Sequence, residues 1–104
     1  MYRVVNGTTV SKTYSFKTSA NDGSYRFAFV GDPQIGASGN ASSDANNWNE
    51  TVSLITSTLK PDFLLSAGDQ VNTASNESQY AGYLNDAFAS LPSATTIGNH
   101  ESKG

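Results

Sequence analysis

An α/β domain, its parallel sheet wound β-α-β-α-β, is what the sequence predicts. Three observations carry this. Short apolar runs at residues 25–30, 63–67 and 94–97 each finish at a glycine. Each interval between them holds apolar residues at helical spacing. Crossovers of about 13–16 helical residues are long enough to return the chain to the same end. That makes neighbouring strands parallel and lays helices on the sheet.

In chain order, residues 2–5 and 12–17 read as two short strands. The second alternates, with Tyr14 and Phe16 on one face, and Asn6-Gly7 signals a turn between the two. Two strands do not make a stable sheet, so residues 1–18 are expected to be the C-terminal end of a β-domain. Residues 19–24 are small and polar and read as a linker. Residues 25–104 then form the α/β unit. Its first strand, 25–30, ends in Gly31-Asp32. A Gly/Ser/Asn loop follows, and then a helix over 44–59. Trp48, Val52, Ile55 and Leu59 share its inner face, Ser43 or Asp44 caps it, and Pro61 ends it. Strand 63–67 ends in Gly68-Asp69. A second helix is predicted over 78–90, with Tyr80, Tyr83, Leu84, Ala87, Phe88 and Leu91 inward. Strand 94–97 leads into Gly98-Asn99-His100-Glu101. The strands are almost continuously apolar, as strands covered on both faces are.

Composition narrows the function. The chain of 104 residues has no Cys, which excludes a disulfide scaffold, a zinc ribbon and a thiol nucleophile. A single His excludes any site needing two from this chain. No apolar run is long enough to span a bilayer. The net charge of −3 argues against a generic nucleic-acid surface. Ser, Thr and Asn supply 35 of the 104 residues. Such a Cys-free, Lys-poor surface suits an exported protein, so a secreted or cell-surface location is expected, although residues 1–20 carry no signal peptide.

The chemistry is expected where the three strands end. Each apolar run is followed by one Gly and then a hard oxygen donor: Gly31-Asp32, Gly68-Asp69 and Gly98-Asn99. In an open α/β sheet, ligands bind beyond the carboxyl ends of the strands. Parallel neighbours therefore bring Asp32, Asp69 and Asn99 together. Two carboxylates held close repel unless a cation lies between them. Oxygen donors suit hard or borderline ions such as Mn²⁺, Mg²⁺, Fe or Zn²⁺. His100, directly after Asn99, is placed to act on substrate. A pair of such ions clamps a phosphate ester and activates water near neutral pH.

Gly31-Asp32-x-Gln34, Gly68-Asp69-x-x-Asn72 and Gly98-Asn99-His100-Glu101 resemble, in order and spacing, the first three signature blocks of the calcineurin-like metallophosphoesterases. The leading segment resembles the last strands of the fibronectin-like β-sandwich that precedes the catalytic domain in purple-acid-phosphatase-like members. The resemblance implies half of an α/β/β/α sandwich and metal-dependent hydrolysis of a phosphate ester at a dinuclear centre of Fe, Mn or Zn. By the same resemblance Asp32 ligates the first metal, Asp69 bridges both and Asn99 binds the second through its amide oxygen. His100 hydrogen-bonds the phosphoryl group or protonates the leaving group, and Glu101 helps to fix the loop.

Three departures qualify the match. The family usually carries His where this chain has Gln34, whose amide oxygen could still bind a hard metal but is neutral and less basic than imidazole. Asn72 stands where purple acid phosphatases carry a metal-bound Tyr, so no iron–tyrosinate colour is expected. The family's downstream histidines, which complete both metal sites, have no counterpart in these residues. The resemblance thus implies the N-terminal part of such a domain, lacking its C-terminal half. An apolar sheet face is expected to lie uncovered, with weak metal binding and little hydrolysis by the 104 residues. Serine esterases with similar Gly-Asp blocks need a Ser directly after the first Gly-Asp. Pro33 and Gln70 stand in those positions, so the nucleophile is missing. The other reading left open is a non-catalytic exported α/β binding module.

Overall fold

The computed structural model describes residues 1–18 and 23–103. Four of the six residues expected to form the linker, 19–22, lie outside the described residues. At the amino end, β1 (Val5–Asn6) and β2 (Thr9–Val10) pair antiparallel. The turn is centred one residue later than Asn6-Gly7 suggests. Gly7 occupies its first central position with φ 61°, which a type II′ hairpin requires. Further out, Tyr2 pairs with Tyr14. From Val5 to Tyr2 the first arm covers three steps, whereas the second covers four from Val10 to Tyr14. The extra residue is a bulge, and it cuts the predicted long strands to two-residue ladders.

The α/β unit has the predicted order. β3 (Phe27–Val30), β4 (Phe63–Ser66) and β5 (Ser93–Thr95) form one sheet in the order β3-β4-β5, all parallel. Between β3 and β4 runs α1 (Ala41–Leu54). It starts three residues before the sequence suggests. Its cap is Asn40, whose side chain accepts from the Ser43 N–H. Asp44, expected as a cap, instead accepts from the N–H groups of Gly36 and Ser38 and fastens the preceding loop. The Ser38 hydroxyl first, and then these N–H groups, hold the Asp44 carboxyl below its usual range against desolvation. After Leu54 the helix widens to a π-turn over Ile55–Leu59 and stops at Lys60 with φ 47°, just before Pro61. Leu59 is thereby turned out to solvent instead of joining the inner face.

The second helix is shorter than predicted. α2 (Glu77–Tyr83) ends early, and a 3₁₀ turn over Asp86–Ala89 follows, capped by Asn85. Asn85 inside the expected helix offers its side chain to the backbone and breaks the run. Within α2, a Cβ on Gly82 would lie 2.9 Å from Ala45 Cβ, so its absence lets α2 approach α1. Leu84 consequently faces solvent, whereas Tyr83 and Leu91 are buried as expected.

The core lies on one side of the sheet. Ile35, Trp48, Val52 and Tyr83 form one cluster, and Ala28, Leu64 and Leu91 another, with Val30 and Phe88 packed against both. Trp48 stacks on Tyr83 with ring centroids 5.5 Å apart and donates from its indole N–H to the Tyr83 carbonyl. The opposite face of the sheet is open, as the resemblance to an N-terminal half implied, and contrary to the covering on both faces that the continuous apolar strands suggest. Phe27 and Phe29 are 47% and 69% exposed, and Tyr25, Phe27 and Phe63 stack on one another there. The reason is topological. A steady advance β3-β4-β5 with right-handed crossovers puts both helices on the same side.

Candidate active site

The turns after β3 and β4 are an extension of the sheet. Beyond the strands, Ala67 N–H donates to the Val30 carbonyl, Asp32 N–H to Gly68, Gln34 N–H to Asp69, Ile35 N–H to Gln70 and Asn72 N–H to Ile35. This zipper ends in a parallel bridge between Ile35 and Val71, both fully buried. Asp32 and Gln34 are thereby held beside Asp69 and Asn72 at the carboxyl edge. Asp32 and Asp69 share an unusual backbone, each with φ 51°, and Gln34 has φ 41°. L-residues other than Asn and Asp seldom adopt this region. Such conformations cost on the order of 1–3 kcal/mol and cluster at functional sites.

The loop after β5 closes on the same edge. His100 N–H donates to Asp69 Oδ1 at 2.9 Å. Glu101 is the knot. One carboxylate oxygen accepts from Asp69 N–H at 2.8 Å and Gly98 N–H at 2.9 Å, and the other accepts from Val71 N–H at 3.1 Å. Burial works against its charge, but the N–H groups of Val71, Gly98 and Asp69 outweigh it and hold the carboxyl below its usual value. Glu101 thus ties the β4 turn to the β5 turn.

The glycines serve different ends, contrary to one shared explanation. Gly68 has φ 102°, and a Cβ on it would meet the Gly98 backbone at 2.6 Å. Gly98 has no unusual φ, but a Cβ there would lie 2.1 Å from Asp69 Oδ1. Gly31 shows neither constraint, its nearest neighbour being Ala67 Cβ at an ordinary 3.5 Å.

Three further side chains meet beside these turns. Gln34 Nε2 lies 3.1 Å from Asn72 Oδ1 and 3.1 Å from His100 Nε2, and His100 Nδ1 is 2.8 Å from the Asn72 carbonyl oxygen. Gln34, Asn72 and His100 are each half-buried, whereas Asp32 and Asn99 are exposed. Asn99 sits between Gly98 and His100, whose backbones both lie against Asp69. Gln70 is not among the site residues that the sequence singles out. It is buried, and its amide donates to the Thr96 carbonyl at 2.9 Å, joining the β4 turn to the end of β5. A Gln directly after a Gly-Asp strand end was the available signal.

As a donor set, Asp32, Asp69, Asn99 and Gln34 offer two carboxylates and two amide oxygens. That chemistry suits hard cations. Among the described residues, no three His, Cys, Asp or Glu side chains form a metal-binding group. The fit therefore depends on amide oxygens and is that of a partial ligand set. A cleft of about 480 Å³ lies elsewhere, between Ser15, Phe16, Lys17, Lys60, Asp62 and Pro92, and holds none of these residues. No helix among the described residues is long and apolar enough to cross a membrane.

Comparison with known proteins adds one positive finding. A family model described as calcineurin-like phosphoesterase matches residues 25–104. No curated protein and no solved structure matches the chain.

Proposed function

The chain belongs to the calcineurin-like phosphoesterases over residues 25–104, and on that premise we propose that the protein hydrolyses phosphate esters with bound metal ions. The observation that carries this reading is the pair of left-handed Asp turns, locked side by side at the carboxyl edge, with His100 docked on one of them. Asp32, Asp69 and Asn99 would hold the ions through oxygen, and Gln34 Oε1 would add a neutral donor. The chemistry such ions supply when bound is Lewis acidity toward the phosphoryl group and a lower pKa for water. Asp69 Oδ1 accepts from the His100 N–H, which fixes the carboxylate that would hold the ions. His100 meets the phosphoryl group or the leaving oxygen through its ring. Glu101 ties the turn after β4 to the turn after β5.

Calorimetry with Mn²⁺, Fe²⁺ and Zn²⁺, together with hydrolysis of p-nitrophenyl phosphate esters by the complete gene product, tests this. The expected result is cation binding and cation-dependent hydrolysis, with Asp69→Asn losing both. Removal of a direct ligand should exceed the roughly 10–100-fold cost of losing a residue that only supports one. Absence of binding heat and of hydrolysis with all three cations would refute the proposal.

A further inference from the structure

Building on the phosphoesterase reading, we propose that Gln34 and Asn72 are positioning residues that fix the tautomer and ring orientation of His100. The assignment follows from which groups can donate. The Asn72 backbone carbonyl only accepts, so its 2.8 Å contact with His100 Nδ1 places the ring proton on Nδ1. In the neutral ring, Nε2 then carries a lone pair. The Gln34 carboxamide nitrogen only donates, and it lies 3.1 Å from that Nε2 and 3.1 Å from Asn72 Oδ1. Every contact in the triangle therefore sets a donor against an acceptor. Turning the Gln34 amide over would set its oxygen against the Asn72 oxygen.

Asn72 acts twice, through its backbone carbonyl on His100 and through its side chain on Gln34. Gln34 is anchored from below by its own N–H on the Asp69 carbonyl. Both carboxamide N–H groups are occupied, so Oε1 is the only atom of that amide left to meet a cation. Free imidazole in water favours the proton on Nε2, so the triangle imposes the less common tautomer. His100 in the resting protein thus presents Nε2 as an acceptor already held by an amide N–H. A phosphoryl oxygen approaching that nitrogen has to replace the Gln34 contact.

His100 is the only His in the chain, so its ring nitrogens are assigned directly in a multiple-bond proton–nitrogen correlation spectrum of the labelled protein. The spectrum is recorded without metal, at a pH where the ring is neutral. A protonated Nδ1 and a bare Nε2 are expected. Asn adopts φ near that of Gln34 readily and is one methylene shorter, so Gln34→Asn keeps the turn but does not reach the ring. In that variant the Nε2 resonance should shift and the fraction of Nε2–H tautomer should rise several-fold. Asn72→Ala keeps the backbone carbonyl and should retain Nδ1–H while shifting Nε2 less. A protonated Nε2 in the wild type, or a Gln34→Asn spectrum superimposable on it, overturns the proposal. The measurement needs neither metal nor substrate. A protein with the expected spectrum that hydrolyses no ester would count against the phosphoesterase reading and leave the triangle standing.

Discussion

Gly98 and Gly31 occupy equivalent places in the sequence pattern, yet the structure assigns them opposite tolerances to a methyl group. In Gly98→Ala the new Cβ would stand 2.1 Å from Asp69 Oδ1, 2.3 Å from Asp69 N and 2.7 Å from Asp69 Cγ. The backbone nitrogen is fixed by its bond to Glu101, so the loops must part. Overpacking of this kind costs about 1–3 kcal/mol. Parting the loops also strains the His100–Asp69 and Asp69–Glu101 hydrogen bonds, at about 1 kcal/mol each. The sum, about 3–5 kcal/mol, is a large share of the roughly 5–15 kcal/mol that stabilises a domain. Gly31→Ala meets only Ala67 Cβ at 3.5 Å. It should stay within about 1 kcal/mol of the wild type, because Ala also restricts the unfolded chain. Urea unfolding followed by fluorescence of Trp48, the single Trp, measures both variants. Equal losses in the two would refute the close-approach argument and return both glycines to a generic turn role.

Further expectations follow from the same contacts. Glu101 has its pKa lowered in the folded state from an ordinary 4.5, so its contribution is complete above that value and is lost as pH falls through the lowered one. Unfolding midpoints between neutral and acid pH should show a shallower acid loss in Glu101→Gln, and parallel curves would contradict this. Leu64→Ala, at a fully buried position, should cost about 2–5 kcal/mol. Phe29→Ser, on the open sheet face, should cost far less but reduce binding of a hydrophobic dye; unchanged dye binding would place the exposed apolar surface elsewhere. The Tyr83 hydroxyl is buried near the Ser66 side chain but makes no well-formed hydrogen bond, so Tyr83→Phe should leave stability equal or raise it by up to about 1 kcal/mol. A clear loss would reveal a partner for that hydroxyl.

The sequence by itself determined the alternation of strands and helices, and it marked the strand ends where Asp32, Asp69 and Asn99 stand. Period and punctuation are local properties: apolar runs, helical spacing and Gly before each oxygen donor are written in neighbouring residues. Local pattern even located His100 and Glu101. It did not say that Glu101 would bind the backbone of Asp69, or that Gln34 would reach His100, because those partners lie 32 and 66 positions apart. The open face around Phe27, Phe29 and Phe63 was expected from the resemblance alone, not from the strands themselves. An apolar strand reads the same whether one face or two are covered. Only the order β3-β4-β5, joined to the fixed hand of the crossovers, sends both helices to one side and leaves the other bare.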